Sequence, residues 1–488
     1  MPHRTDASRH WLSPTNIVGF VDETSEVSEL YTILRTEDVS DGSSKSPKIS
    51  PDEYMSSFRQ IRRPAAEPIT DEKEAFYLAR YTDIIGPRFD MFDSTSRYFS
   101  LVLPHVALKN RLVLLACIAS AARQYSLVTN RGHHDALAYY NEAIKALSDR
   151  LNDTGHEAAT FASCLLIAHC EMVESKASDW YLHLKGTGEL VATQNWNGRG
   201  GGLAQASFWI YCRMMILASL SSGMPAAVDL GHLLSLSYFP SPPEWTLDTW
   251  QSRVVYLLGS VQHFWAKTRN HHPSDMTELD VEWKNLDEQL LRHHHEAPTI
   301  CQILSITAAN QDNPFEVVRY INGPVSAAWQ MLHTAHLILT LSRPVSPTAR
   351  RALLSSCVVR QKALLFARKI VSNSISNRCT IAWANAVQLL TVAGQCLVET
   401  KEREACLKAL DDIQHHTGWD TRTNMERLSS TWRESASSEE ITHCATDTTS
   451  KYAEDLGKLL YIVWSGGEDT TRVEQDGLFR RYRQPPIP

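Results

Sequence analysis

From about Phe76 onward, apolar residues return every three or four positions. Leu137, Tyr140, Ile144, Leu147 and Leu151 step by 3, 4, 3 and 4, which places one apolar stripe on a helix face. Phe161, Leu165, Ala168 and Met172 repeat the pattern, as do Phe208, Tyr211, Met215 and Ala218. The same reading predicts helices near 108–128, 178–193, 249–268, 279–295, 325–342, 348–374, 381–398, 401–416 and 451–464. Alternating runs bounded by Asn-Gly or Asp-Gly turns, the mark of hairpins, are almost absent. Breakers fall between the helices, at Asn197-Gly-Arg-Gly-Gly-Gly202, Phe239-Pro-Ser-Pro-Pro243, Gly323-Pro324 and Arg343-Pro344. Helix lengths vary and no 34- or 40–47-residue period recurs, which argues for an irregular helical body over a regular solenoid. The prediction is an all-α, irregular multi-helix body.

Residues 1–72 differ. Ser, Asp, Glu and Pro dominate, as in DVSDGSSKSPKISPDE, and apolar periodicity is poor, so a disordered acidic and polar segment is expected. Between Asn16 and Asp41, acidic residues alternate with Phe20, Val21, Leu30, Tyr31 and Leu34. Two readings stay open: an activation segment that folds on a coactivator, with those five residues as its anchors, or a solvated tail. The helical domain is expected over 75–465, interrupted by a polar loop at 434–450, with a tail at 466–488.

Composition changes the picture only by exclusion. At 488 residues the chain is several times the usual single-domain length of about 100–200. A net charge of −7 and 43% hydrophobic residues argue against wholesale disorder and against a basic nucleic-acid-coating protein. Ten scattered cysteines form no Cys-x-x-Cys pair, so neither a disulfide framework nor a thiolate zinc site is expected. The start, MPHRTDASRHWLSP, has no apolar signal core. Thr380–Val398 is long enough to weigh as a membrane span, but Asn385, Gln388 and Gln395 favour a buried helix. A soluble intracellular protein, away from membranes, is the expectation.

Each catalytic template fails on a residue its chemistry requires. The glycine-rich Gly198–Gly202 loop follows a helix expected to end at Trp196 and has no Lys-Ser/Thr pair, so it cannot be a strand–loop–helix phosphate cradle. His169-Cys-Glu171 has the His-x-Glu spacing of zinc deaminases but lacks the following Pro-Cys-x-x-Cys. Glu440-Ile-Thr-His443 is half of a di-iron motif with no second copy. His333 and His336 share a helix face without a third ligand at fixed spacing, and successive histidines at 293–295 point about 100° apart. Asp411-Asp412 lacks the third acidic residue of a diphosphate-binding helical cyclase, and Gly-x-Ser-x-Gly is absent. No enzyme, metal or cofactor is predicted. The tryptophans, among them Trp180, Trp196, Trp209, Trp250 and Trp329, read as core in preference to the lining of an apolar ligand cavity.

An ordered set of segments then becomes recognisable. It runs from Phe89-Asp-Met-Phe-Asp93 through Tyr98–Pro104 and the helix Asn110–Gln124. Ala138–Leu147 follows with the tandem Tyr139 and Tyr140, then Asp179–Gly188 with Trp180, His183, Leu184 and Gly186. Gly202–Tyr211 with Trp209, His333–Leu341 and Thr417-Gly-Trp-Asp-Thr421 complete it. The set resembles the fungal-specific transcription factor domain, the helical middle homology region of zinc binuclear-cluster regulators. The resemblance covers about 75–465 and is strongest over 89–222.

It implies a regulatory helical domain acting in the nucleus on genes of metabolism or secondary metabolism. The partners implied are other transcription regulators or coactivators, with homo- and heterodimers both open. The family's six-cysteine zinc cluster has no counterpart here, since no cysteine precedes Cys117. Arg59, Arg62 and Arg63 form the one N-terminal basic cluster, with Arg480, Arg481 and Arg483 near the other end. Direct base reading by this sequence is therefore not expected, because phosphate neutralisation needs Lys and Arg at the contact. A helical ligand sensor or scaffold is the alternative function.

Overall fold

Helix ends follow local chemistry. Asp71 accepts the backbone N–H of Glu74 and opens α1, Glu72–Arg80. Asn110 does the same through Val113 for α2, Arg111–Thr129, and Asn322 through Val325 for α9, Gly323–Leu341, which also carries Pro324 in its first turn. Between them lie α3 (His133–Leu151), α4 (Ala158–Met172), α5 (Ala177–Thr193), α6 (Gly202–Ser222), α7 (Leu247–Arg269) and α8 (Met276–His295). After α9 come α10 (Cys357–Ser376), α11 (Ala386–Gly394), α12 (Thr400–Thr417) and α13 (Arg422–Thr442), with shorter helical turns at Gly86–Phe89, Leu103–Ala107 and Thr380–Trp383. This computed structural model describes residues 68–442 except 152–156, 174–176, 223–238, 240–244, 270–275, 312 and 345–356. The chain divides into two units, Met1–Ala65 and Ala66–Pro488. The first lies outside the described residues, and with it the proposed anchors Phe20, Val21, Leu30, Tyr31 and Leu34.

The all-α prediction holds. α2, α4 and α9 are apolar nearly all round and buried on all sides, as helices at the centre of a large body must be. α2 packs on α3 and α4, and α4 on α5 and α6. α9 lies against α7, α8, α10 and α11, and α6 joins the two groups by touching both α7 and α11. α2 and α6 are long and apolar enough to cross a membrane, but most of each is buried inside this body. The predicted helix over 381–398 is broken between Thr380–Trp383 and Ala386–Gly394.

Four further departures have local causes. On α3 the buried positions are Ala136, Ala143 and Leu147, with Leu137 and Leu151 exposed. Alanines let α3 lie close on α2; Leu147 is buried and Tyr140 and Ile144 pack half-buried against the core, so the predicted stripe holds at its centre and fails at Leu137 and Leu151. α5 ends at Thr193, and Gly201 and Gly202 take left-handed backbone (φ +71° and +64°) to start α6. A small antiparallel hairpin joins β1 (Ser305–Thr307) to β2 (Val317–Arg319), pairing Ile306 with Val318; three-residue strands are too short for alternation to register. Finally, α13 continues through Glu434–Thr442, where polar composition predicted a loop; residues 443–450 and the predicted helix 451–464 lie outside the described residues.

Gly186 and Gly188 both lie on α5, where a glycine either turns the chain or lets another helix approach. A Cβ at Gly186 would meet nothing within 4 Å, whereas one at Gly188 would collide with the Tyr211 hydroxyl of α6. Gly186→Ala is therefore expected to stabilise the protein by up to about 1 kcal/mol, through helix propensity. Gly188→Ala is expected to lower the melting temperature, with partial recovery in the Gly188→Ala/Tyr211→Phe double variant. Thermal denaturation of the four chains checks both.

Candidate functional site

The first and last of the recognisable segments meet in the interior. In Phe89-Asp-Met-Phe-Asp93, Asp90 accepts the N–H groups of Phe99 (2.8 Å) and Ser100 (2.6 Å) and the Ser100 hydroxyl (2.5 Å). Asp93 accepts from Ser96 and Tyr98, and Asp248 of α7 accepts from Ser94 and Thr95. Three carboxylates thus satisfy the backbone donors of one loop. Gly86 has no room for a side chain, since a Cβ would stand 2.8 Å from Ser100 Cα. Arg213, buried in α6, donates to the carbonyls of Arg88 and Phe89, each at 3.2 Å. Arg88, also buried, donates to the carbonyl of Thr417 at 3.4 Å.

Thr417-Gly-Trp-Asp-Thr421 reaches the same place from the other end of the chain. Gly418 (φ +79°) closes α12, the Asp420 N–H donates to Val173 at the end of α4, and Trp419 meets the ring of His169 edge-on. His169 hydrogen-bonds Ser120 of α2 through Nδ1 at 2.9 Å and packs on Phe89. Burial dominates the electrostatics here. It pushes the Asp90 carboxyl up to about 6, and it lowers Arg213 and Arg88 to about 10 and His169 to about 3. Asp90 offsets part of the burial of Arg213, while Arg88 further disfavours the charged form of His169.

The tandem tyrosines form a second cluster. Tyr139 is half-buried and packs edge-on to Tyr77 of α1. The Tyr140 hydroxyl donates to Glu171 of α4, whose carboxylate also lies 3.6 Å from Nδ1 of His183 on α5. Burial holds the His183 pKa below its ordinary value, against the pull of Glu171. Trp180 and Leu184 are core, and Trp209 is half-buried against Phe208 and Phe239. In the His-x-Glu motif, His169 faces Phe89 and Trp419 while Glu171 faces Tyr140 and His183. The two side chains serve different contacts, as positions two apart on a helix must.

The third cluster went unrecognised as a group in the sequence. His293 stacks on Trp250 and tilts against Trp245. His294 meets Trp329 at 4.8 Å between centroids and lies 6.2 and 6.0 Å from His333 and His336. His336 stacks on Phe366 of α10. Both nitrogens of His293, Nδ1 of His333 and Nε2 of His336 are buried without a hydrogen-bond partner among the described residues. Burial lowers all four, His294 to about 4 and His336 to about 3, with Arg253, Lys369 and Lys362 adding repulsion. The pairing of His333 with His336 was visible as an i, i+3 spacing. His294 could not be added, because tertiary packing alone brings α8 onto α9.

Chemically these clusters are interior polar structure. Among the described residues, no three His, Cys, Asp or Glu side chains are arranged to hold a metal ion. A surface pocket of about 480 Å³ is lined by Glu72, Phe76, Tyr77, Tyr125, Arg131 and Asp135, and one of about 280 Å³ by Arg378, Trp383, Lys408 and Asp412 among others. Neither contains the clusters above, and the tryptophans weighed as a cavity lining pack in or against the core.

The fold therefore defines an irregular helical domain whose motif residues hold its interior together. Residues 76–456 match the family model of the fungal specific transcription factor domain. The chain belongs to that family. No curated protein and no solved structure matches it.

Two outcomes follow from the buried charges. Asp90→Ala leaves three donors and Arg213 without their acceptor and counter-charge; a loss of about 3–5 kcal/mol is expected in urea unfolding. The histidines give a pH dependence of known sign. His169, His293, His294, His333 and His336 have lowered folded-state pKa values, so the unfolded chain binds more protons as pH drops through about 6.5. Stability is full above that pH and falls toward pH 4, by roughly 1.4 kcal/mol per pH unit for each fully blocked histidine. Asp90, raised to about 6, opposes this with a single group. Urea midpoints at pH 7.5 and 5.5 should show the decline, and His333→Leu/His336→Leu should flatten it.

Proposed function

We propose that the protein is a fungal transcriptional regulator that acts in the nucleus on genes of metabolism or secondary metabolism, through partner regulators and coactivators. The observation that carries this reading is the family match over residues 76–456, which takes in most of the helical body. The interior placement of the perturbed titratable groups supports a regulatory role over a catalytic one, because a reacting substrate needs access to such groups. In this reading contact with DNA is made through a partner's base-reading module. The acidic segment 16–41 is assigned the activating surface, with Phe20, Val21, Leu30, Tyr31 and Leu34 as its apolar anchors.

A tethering experiment tests the reading. The full chain fused to a heterologous DNA-binding domain should raise reporter expression in a fungal host and accumulate in nuclei. Phe20→Ala/Leu30→Ala/Leu34→Ala, at equal protein level, should reduce the reporter about tenfold, the effect of losing about 1.4 kcal/mol of coactivator affinity. Unchanged activation in that variant would remove the role of the segment, and a silent fusion confined to the cytoplasm would overturn the regulator itself. The purified chain, mixed with fragmented genomic DNA at two salt concentrations, should enrich no particular sequence; selective enrichment would overturn the assignment of DNA contact to a partner.

A further inference from the structure

The cleft of about 280 Å³ opens where four elements meet: the last turn of α10, the helical turn Thr380–Trp383, one side of α12, and the connection between β1 and β2. α12 supplies Ala405, Lys408, Ala409 and Asp412, which stand at i, i+3, i+4 and i+7 and so share a helix face. The two alanines leave room that larger side chains would fill. The hairpin connection supplies Asn313 and Pro314, and its shape is fixed locally. The Asn313 N–H donates to Asn310 Oδ1, the Phe315 N–H donates to Asn313 Oδ1, and the Phe315 ring is buried. Lys401 of α12 donates to the carbonyl of Gln311 at 3.4 Å, which ties the connection to the helix. The cleft is thus formed before any ligand arrives.

Its floor is apolar in effect. Trp383 is buried, and its Nε1–H donates to the Ser374 carbonyl at 3.0 Å. The Ser374 hydroxyl oxygen accepts from Gln330 in the core. With these atoms engaged, the inner lining offers chiefly the surfaces of Trp383, Ile375 and Pro314. The charges stand farther out. Lys408 is exposed, and Arg378, its side chain 56% exposed, donates through Nη2 to Asp412 Oδ2 at 2.7 Å. Among the lining residues two cations therefore face one carboxylate, an excess of one positive charge. Asp412 engages one part of a guanidinium that carries five N–H donors, so others remain for a second carboxylate. The volume falls just below the roughly 300–1,000 Å³ of pockets for drug-sized ligands, so the occupant is small.

We propose that this cleft binds a small organic acid, with its carboxylate on Arg378 and Lys408 and its apolar body over Trp383, Ile375 and Pro314. A neutral apolar molecule would leave the excess charge unused, and a bare inorganic anion would leave the floor wet. The elements that would close on the ligand are separate in sequence, so binding would brace the hairpin connection and the end of α10 against α12. Binding there does not depend on the transcriptional role proposed above.

Ligand-observed NMR titration of the full chain tests this, with benzoate and hexanoate as the acids. Benzamide is the neutral counterpart of benzoate, and acetate and inorganic phosphate are anions without an apolar body. At millimolar concentration at least one acid should bind saturably, and benzamide, acetate and phosphate should bind about tenfold more weakly. Lys408→Glu alters an exposed side chain, should leave the melting temperature unchanged, and should weaken the acid about tenfold. Ala405→Phe, which fills the cleft, should abolish binding. The proposal is overturned by the absence of saturable binding of both acids, by benzamide matching benzoate, or by an affinity that ignores Lys408→Glu. Acetate or phosphate matching the larger acids would overturn it in favour of a simple anion site.

Discussion

The body is organised around the desolvation of two arginines. Arg88 and Arg213 are buried, and only one carboxylate, Asp90, offsets the cost of Arg213. A buried guanidinium is tolerated when its donors find acceptors, so carbonyls must be brought to it. Arg213 takes those of residues 88 and 89, which fixes α6 against the turn before the Asp90 loop. Arg88 is satisfied only in part: its Nη1 donates to the carbonyl of Thr417, which ties the end of α12 to this turn, while its Nε and Nη2 have no partner among the described residues. Met91 adds a second link of this kind, its sulfur accepting from Asn385. Segments separated by some three hundred positions are thereby held to one point, at a loop-closure entropy cost that these contacts must offset.

The helices α7 to α10 solve the opposite problem. Their interior holds imidazoles between indole and phenyl rings, with several ring nitrogens left without partners. Burial favours the neutral form of these histidines. Shape here matters more than polarity, since a flat ring stacks on Trp250 or Phe366 in the way a phenylalanine would. The unsatisfied nitrogens are the cost of that substitution, and burial keeps the proton off, with Lys369 and Arg253 adding repulsion.

Much of this was legible in the sequence, and the limits have physical causes. Helix existence came from spacing and breakers, because amphipathic periodicity and capping are local. The stripe on α3 was right at Tyr140, Ile144 and Leu147 but missed Ala136 and Ala143, because alanines as well as large residues make the close contacts of this helix. The Asp90 loop was recognised as a segment, but nothing in it announces Arg213, which lies far off in sequence on a helix that reads as plain core. His294 was dismissed on sound local geometry: three successive histidines do not converge. Convergence came from a different helix. Gly186 looked like its neighbour Gly188, yet only the latter faces a packed side chain.

The same contrast separates what carries family identity from what carries function. The recognisable residues are those that a common framework cannot lose: carboxylates that satisfy loop donors, a glycine beside Ser100, a tryptophan against His169. They lie inside, where a partner or ligand does not reach. Regulation requires accessible surface, and accessible surface is where this sequence departs from plain core rules. The hairpin is the clearest instance, since Leu304 and Ile306 are exposed along β1, which among the described residues pairs with β2 alone. A buried framework of this kind tolerates little change at its junctions and much change outside them, so the exterior has room to vary without disturbing the core.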